Sequence, residues 1–303
     1  MIWFIYSKEM DYRYEYNTIK EFLQNNYQEG LDYLLIAIED ISAKVYEKIE
    51  FFSGKNKLEL NTVEGIYLID LGKISLVTLQ YRIHLLKYFE EQGVRIINSP
   101  ETLLLCRNKM ATYFNLKNKG LPTIPTMSLS SKTDYQVWYD FIDKIGEEII
   151  VKPLLGSRGI GIEYLNISRL KNRLKNKLAK EKILIVQKFI HTKDMCDIRV
   201  LVIGNKVLAC MKRCAKKGKF LTNIFQGGTP HPIELSKDIE SMAIEACKAV
   251  NGDILTVDLI KDEKTDEIFI LEINGFARWE GLQKVTDINI TKEIIKYVMK
   301  VRS

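Results

Sequence analysis

The sequence predicts a chain of mixed class, α/β over its first third and α+β thereafter. Three observations carry that reading. Up to Ser99, short apolar β-prone runs alternate with amphipathic helical stretches, the pattern of a parallel sheet with helical crossovers. Beyond Pro122 and Pro125, strands come in adjacent pairs joined by turn residues, as in antiparallel hairpins. Two segments, "VKPLLGSRGIG" and "KKGKFLTNIFQGG", combine glycine with basic residues where backbone must approach a ligand closely.

"MIWFIYS" reads as a first strand, followed by a helix from Asn17 to Tyr27. "DYLLIAI" and "GIYLIDLG" are short buried-type strands, and "VRIINS" is a further one. Between them "LVTLQYRIHLLKYFEEQG" is an amphipathic helix closed by Gly93. "PETLLLCRNKMATYFNLKNKGLP" makes one or two helices, after which Pro122 and Pro125 hold the chain extended. "DYQVWYDFIDKIG" is a helix, "EIIVKPLL" and "IEYL" flank the glycine turn, and "SRLKNRLKNKLAKEK" is a basic helix, read as a solvated face. "ILIVQKFI" opens the second strand series. "DIRVLVIGNKVLACMKRC" is a hairpin around Gly-Asn, and "ILTVDLIKDEKTDEIFILEIN" is another. A helix from Lys237 to Val250 separates these hairpins, and "TKEIIKYVMKV" is a last amphipathic helix.

With 303 residues there is room for two or three lobes. A net charge of +6 suits an anionic small ligand and is too weak to argue for nucleic acid. No apolar run approaches a membrane span, and the N-terminus lacks the basic lead of a signal peptide. Five cysteines without a CxxC motif predict reduced, structural thiols and a cytoplasmic protein. Three widely spaced histidines, His84, His191 and His231, argue against a histidine-based catalytic triad or metal centre. The first strand lacks a following G-x-G-x-x-G, so a dinucleotide fold has no support.

Three constellations carry chemistry. Lys152 ends a strand, and three residues separate it from Gly156-Ser157-Arg158-Gly159-Ile160-Gly161. Those glycines admit phosphate oxygens to backbone N–H groups, and the lysine neutralises their charge. The order of lysine and glycines is not that of a Walker A loop, so the segment reads as a hairpin flap. Asp258, Glu272 and Asn274 fall on neighbouring antiparallel strands, where two carboxylates and an amide oxygen form a hard donor set for Mg²⁺. Asp197 and Arg199 share one strand face, and Arg213 closes the next strand ahead of a loop with Asn223. Arg213 there suits a transferring phosphoryl group, whereas Arg199 reads equally as a structural ion pair.

These pieces in this order resemble the ATP-grasp carboxylate–amine ligases, and among them the RimK-like α-L-glutamate ligases. "CRNKM", "VKPLLGSRGIG", "VQKFI", "DIR", "MKR", "KKGKFLTNIFQGG", "VDLI" and "LEIN" match segment by segment from about Asn98 onward. The resemblance implies a pre-ATP-grasp parallel α/β domain at 1–110 and an ATP-grasp lid subdomain at 111–186. A C-terminal subdomain with the metal site follows at 187–303. It further implies phosphate contacts from Lys109, Lys152, Gly156, Ser157 and Gly159, with adenine against Gln187, Lys188, Phe189 and Ile190. Asp197 would face the sugar, Arg213 and Asn223 the γ-phosphate, and Asp258, Glu272 and Asn274 would hold two Mg²⁺ (or Mn²⁺). Lys152, Arg213 and Asn223 are then the expected catalytic residues. The family's reaction turns a carboxylate into an acylphosphate, which the amine of an amino acid attacks, so no protein nucleophile is required.

The sequence departs from the family where Lys188 replaces an acidic hinge residue, and where Leu221 and Gln226 stand at positions often basic in protein-modifying members. The largest departure is Gly275-Phe276-Ala277-Arg278-Trp279 after the metal asparagine, in place of Ser-Pro-Gly. "RWEGLQ" is more similar to the tetrahydromethanopterin:α-L-glutamate ligase branch. The expectation is therefore L-glutamate added to a small anionic cofactor-type acceptor, with a protein or peptide carboxylate as the alternative and a non-catalytic nucleotide sensor as a reading of another class. Arg199, Arg278 and Trp279 are the expected substrate contacts, although Trp279 also suits a core anchor. Lys212, Lys216, Lys217 and Lys219 either steer a polyanionic acceptor or are a soluble loop. A homo-oligomer is expected.

Overall fold

The computed structural model describes residues 1–300 except 11, 27–31, 74, 157–158 and 168–170. The N-terminal domain follows the predicted alternation: β1 (Ile2–Tyr6), α1 (Tyr14–Asn25), β2 (Tyr33–Ala37), β3 (Ile41–Val45), β4 (Ile49–Ser53), β5 (Asn56–Leu58), β6 (Gly65–Leu68), α2 (Leu76–Glu91) and β7 (Ile96–Ile97). Its parallel sheet has the order β2-β1-β6-β7. Helices on both faces explain why Trp3, Phe4 and Ile5 are all buried with no polar alternation. β3, β4 and β5 form a separate antiparallel sheet that the strand–helix reading passed over. One turn of it was visible in the sequence as Gly54, held at φ +59° between β4 and β5.

Two capped helices follow, α3 (Pro100–Arg107) and α4 (Lys109–Asn118). Asn108 ends one and caps the other, its side chain accepting from the Ala111 N–H at 3.2 Å. The small lobe comprises β8 (Thr126–Ser130), α5 (Tyr135–Ile145), β9 (Glu148–Pro153), β10 (Glu163–Asn166), α6 (Lys171–Glu181) and β11 (Ile183–Lys188), with sheet order β10-β9-β11-β8. The large lobe has β12 (Cys196–Ile203), β13 (Lys206–Cys214), β14 (Thr229–His231), α7 (Lys237–Ala249), β15 (Ile254–Lys261), β16 (Ile268–Asn274), α8 (Glu280–Gln283) and α9 (Ile290–Lys300), with sheet order β14-β13-β12-β15-β16. The expected boundary at 110 falls inside α4, whose Tyr113 and Leu116 pack into the large-lobe core with Val257 and Ile273. The one at 186 falls inside β11. One further core joins the N-terminal domain to the large lobe, with Phe4 and Ile19 meeting Trp279, Leu282 and Ile294.

Two sheet details bear on the site. Asp258 pairs with Glu272 across β15 and β16, but Leu259 pairs with Ile270, so Leu271 is a surplus residue. The second corrects the cysteine expectation. Cys196 and Cys214 face each other across β12 and β13 and form a disulfide. The hairpin places them in register although they lie 18 residues apart, a proximity that linear spacing conceals. Cys106, Cys210 and Cys247 are free thiols. Among the described residues no helix is long and apolar enough to cross a membrane.

Candidate active site

A cleft between the lobes gathers most of the residues singled out from the sequence. Lys109, Lys152, Gly156 and Gly159 line it from the flap side, and Gln187 to Ile190 line it at the linker between lobes. Asp197, Arg213, Asn223, Asp258 and Glu272 line it from the large lobe. Ser157 lies outside the described residues. The flap reaches across the cleft at Gly159, which has φ +73°; a Cβ there would lie 3.1 Å from the Asn223 Oδ1. Gly228 closes the opposite loop, since a Cβ at that position would overlap the Thr222 carbonyl. Beyond the linker, Phe189 packs edge-on against Tyr164 of β10, with centroids 4.8 Å apart, and Phe220 joins them from the loop after β13.

The two lysines are held in deficit. Lys152 is buried, and its Nζ donates to the Tyr113 hydroxyl at 3.3 Å while lying over that ring. Burial pulls its pKa down to about 8, with Glu272 opposing. Lys109 Nζ donates to the Gly156 carbonyl at 3.1 Å and lies 4.0 Å from Glu272; burial lowers its pKa as well. Tyr113 was not anticipated. It stands one helical turn from Lys109 on α4, and its hydroxyl donates to the Leu271 carbonyl at 2.7 Å, so the i, i+4 spacing in "KMATY" was its available signal.

The anionic side is a ladder of buried charge. Arg213 donates from Nε and Nη2 to Asp197 at 2.8 and 2.6 Å, and Nη2 also lies 3.0 Å from Asp258. Burial opposes the charge on this guanidinium, but Asp258 and Asp197 outweigh it and hold the group above the ordinary arginine value. Thr222, also missed, donates to Asp197 at 2.5 Å. Arg199 grips Asp258 with two bonds of 2.7 Å, the ion pair that was the other expectation for this residue. Against the cost of burial, Arg199 and Arg213 keep the Asp258 carboxyl ionised, below its ordinary pKa.

Glu272 faces the cleft and Asn274 stands 3.5 Å from Asp258. Strict alternation along β16 would put both beside Ile270 in the core; the surplus Leu271 turns Glu272 to the cleft and Asn274 toward Asp258. The remaining two expected substrate contacts point elsewhere. Arg278 binds Asp70 and lies 3.5 Å from Glu15, and Trp279 is 1% exposed with its indole donating to Thr291. The residues after Asn274 run into the N-terminal domain, where both side chains have protein partners and Arg278 keeps a quarter of its side chain exposed.

Such a cleft defines an ATP-grasp protein, and solved structures agree. The fold matches the ATP-grasp ligase PsnB in complex with a minimal precursor, with TM-score 0.76 over 99% of this chain and 98% of that one, at 17% identity. It also matches the RiPP-associated ATP-grasp ligase of Chryseobacterium gregarium with TM-score 0.74, over 100% and 97% of the two chains, at the same identity. A model of the RimK-like ATP-grasp domain matches residues 105–298. A probable alpha-L-glutamate ligase of Legionella pneumophila is 32% identical over 73% of this chain and 72% of its own length. The Glutamate--LysW ligase ArgX of Sulfolobus acidocaldarius is 27% identical over 86% and 93%. The chain belongs to the RimK-like ATP-grasp family and is an ATP-dependent carboxylate–amine ligase of its glutamate-ligase group.

Proposed function

We propose that this ligase joins L-glutamate to a carboxylate on an acidic peptide or protein, within the ATP- and magnesium-dependent chemistry of its family. The observation that carries the acceptor class is the placement of Arg278 and Trp279. They supported a small cofactor-type acceptor on sequence grounds, and both are engaged by the N-terminal domain instead. The cleft mouth next to Asn223 carries exposed Lys216, Lys217 and Lys219, suited to an acidic chain rather than one compact ligand. The PsnB structure that holds a precursor peptide points the same way.

In this reading Lys109, Lys152 and Arg213 bind the ATP phosphates, and the backbone around Lys188 to Ile190 reads the adenine. The acceptor carboxylate attacks the γ-phosphorus as the bond to ADP breaks. The glutamate amine then attacks the acyl carbon, phosphate leaves, and the amine loses a proton as the amide forms. Asp258, Glu272 and Asn274 supply only oxygen donors, and among the described residues no cluster of three His, Cys, Asp or Glu competes with them. That donor set fits two Mg²⁺ or Mn²⁺, which when bound neutralise phosphate charge. ADP release measured with glutamate and a panel of acceptors, followed by mass spectrometry, tests the reading. A gain of one glutamate on an acidic peptide is the expected result. A gain on a pterin-type cofactor returns the small-acceptor reading, and ATP binding without ADP under every acceptor indicates a sensor.

A further inference from the structure

We infer that the N-terminal domain positions the metal-binding end of β16, through Glu15, Asp70 and Asn98 acting on the strap Gly275–Trp279; this rests on the metal reading above. The strap begins one residue after Asn274, and nearly every residue in it is tied to the N-terminal domain. Asn98, which is buried, donates from Nδ2 to the Gly275 carbonyl and to the Ile254 carbonyl, both at 2.7 Å. Its Oδ1 accepts from the Asp253 and Ile254 N–H groups at 2.8 and 2.9 Å. One side chain thus bridges the start of β15 and the end of β16, the two strands that carry Asp258, Glu272 and Asn274. Phe276 packs against the N-terminal core, and Ala277 and Trp279 enter the core shared with Phe4 and Ile19.

The far end of the strap is held by charge. Glu15 on α1 accepts from the Trp279 N–H at 3.1 Å and lies 3.5 Å from Arg278. Asp70, just past β6, binds Arg278 and lies 3.4 Å from Arg13. Glu15 and Asp70 are both buried, so the pairs are little screened by solvent. None of these groups lines the cleft, so they are positioning residues. Outer contacts that orient metal ligands set affinity along with the ligands themselves.

The test is Mn²⁺ binding to the full chain in the presence of ADP, read by electron paramagnetic resonance, alongside metal-free ADP affinity and the thermal midpoint. In Glu15→Gln/Asp70→Asn the Mn²⁺ dissociation constant rises roughly tenfold while metal-free ADP affinity is unchanged; the amide oxygen introduced on α1 still accepts from the Trp279 N–H. Arg278→Lys, which keeps the charge and loses the fork, gives a smaller rise in a milder background. Asn274→Ala is the control and loses Mn²⁺ binding. Unchanged Mn²⁺ affinity in the double variant and in Arg278→Lys, with Asn274→Ala impaired, overturns the inference alone. Unchanged affinity in Asn274→Ala overturns the metal assignment and the inference with it.

Discussion

Two regions of this molecule bury charge, and they do so differently. At the strap, Arg278 meets both Glu15 and Asp70, so positive and negative groups are matched within the protein. On the flap side of the cleft, among the described residues, Lys152 hydrogen-bonds to a phenol with Glu272 acting from farther off, and Lys109 to a carbonyl with a carboxylate at 4.0 Å. Matched buried charge contributes shape, whereas unmatched buried charge costs folding free energy and persists where a ligand supplies the missing partner. Asp258 spans both categories, since it is paired with Arg199 and Arg213 and also lines the cleft.

The largest expected effect comes from Asp258→Ala. It removes a proposed metal ligand and strands two guanidinium groups, so ADP formation is lost and unfolding in urea shows a destabilisation of about 3–5 kcal/mol. If turnover vanishes with stability intact, the ladder is weaker than its geometry indicates.

Lys152→Met separates the two regions most sharply. Turnover should fall at least about 100-fold for loss of a phosphate contact, while the thermal midpoint rises because a desolvated charge is gone. The pH dependence has a definite sign. Burial sets the folded pKa at about 8, below the unfolded value, so the unfolded chain binds more protons between those two values. Below pH 8 the fold carries the full cost of the charged lysine, and that cost is relieved as pH rises above 8. The midpoint difference between Lys152→Met and the parent should therefore shrink above about pH 8, while the parent's KM for ATP rises there as the ammonium is lost. A KM flat to about pH 9.5, well past that folded value, would remove Lys152 from the phosphate site.

Trp279→Ala should cost about 3–5 kcal/mol of stability through the cavity it leaves. Trp279→Phe should restore most of that, without a selective change in KM for the acceptor. A selective change in acceptor KM would bring the indole back to the substrate. The smallest effect is expected from Lys216→Ser/Lys217→Ser/Lys219→Ser: a several-fold rise in KM for an acidic acceptor, strongest at low salt, with KM for ATP unchanged.

Much of the site was legible because its chemistry is local. A lysine before a glycine flap and a carboxylate two residues before an amide announce themselves within a few positions. Features made by pairing were hidden. Arg199 and Asp258 are 59 residues apart, and nothing local tells an arginine that binds substrate from one that neutralises a neighbouring strand. Cys196 and Cys214 become neighbours only once the hairpin register is known. "RWEGLQ" drew the eye as a specificity segment because tryptophan and arginine serve interfaces and ligands alike; here the interface is internal. The β3–β5 sheet was missed because its strands are short and mostly solvent-facing, which weakens the periodicity.

Leu271 can be thought of as a single inserted letter that changes the reading frame of a strand. Upstream of it, Ile268 and Ile270 face the core; downstream, Ile273 does, and the intervening parity is reversed. A chain shortened by that one residue would regain plain alternation, with Ile270 and Ile273 still in the core and Glu272 and Asn274 still on the opposite face; it would lose only the local kink of the bulge. A chain that kept Leu271 but paired without the bulge would instead turn Glu272 and Asn274 toward Val257, so the facing of these side chains rests on register as well as on composition.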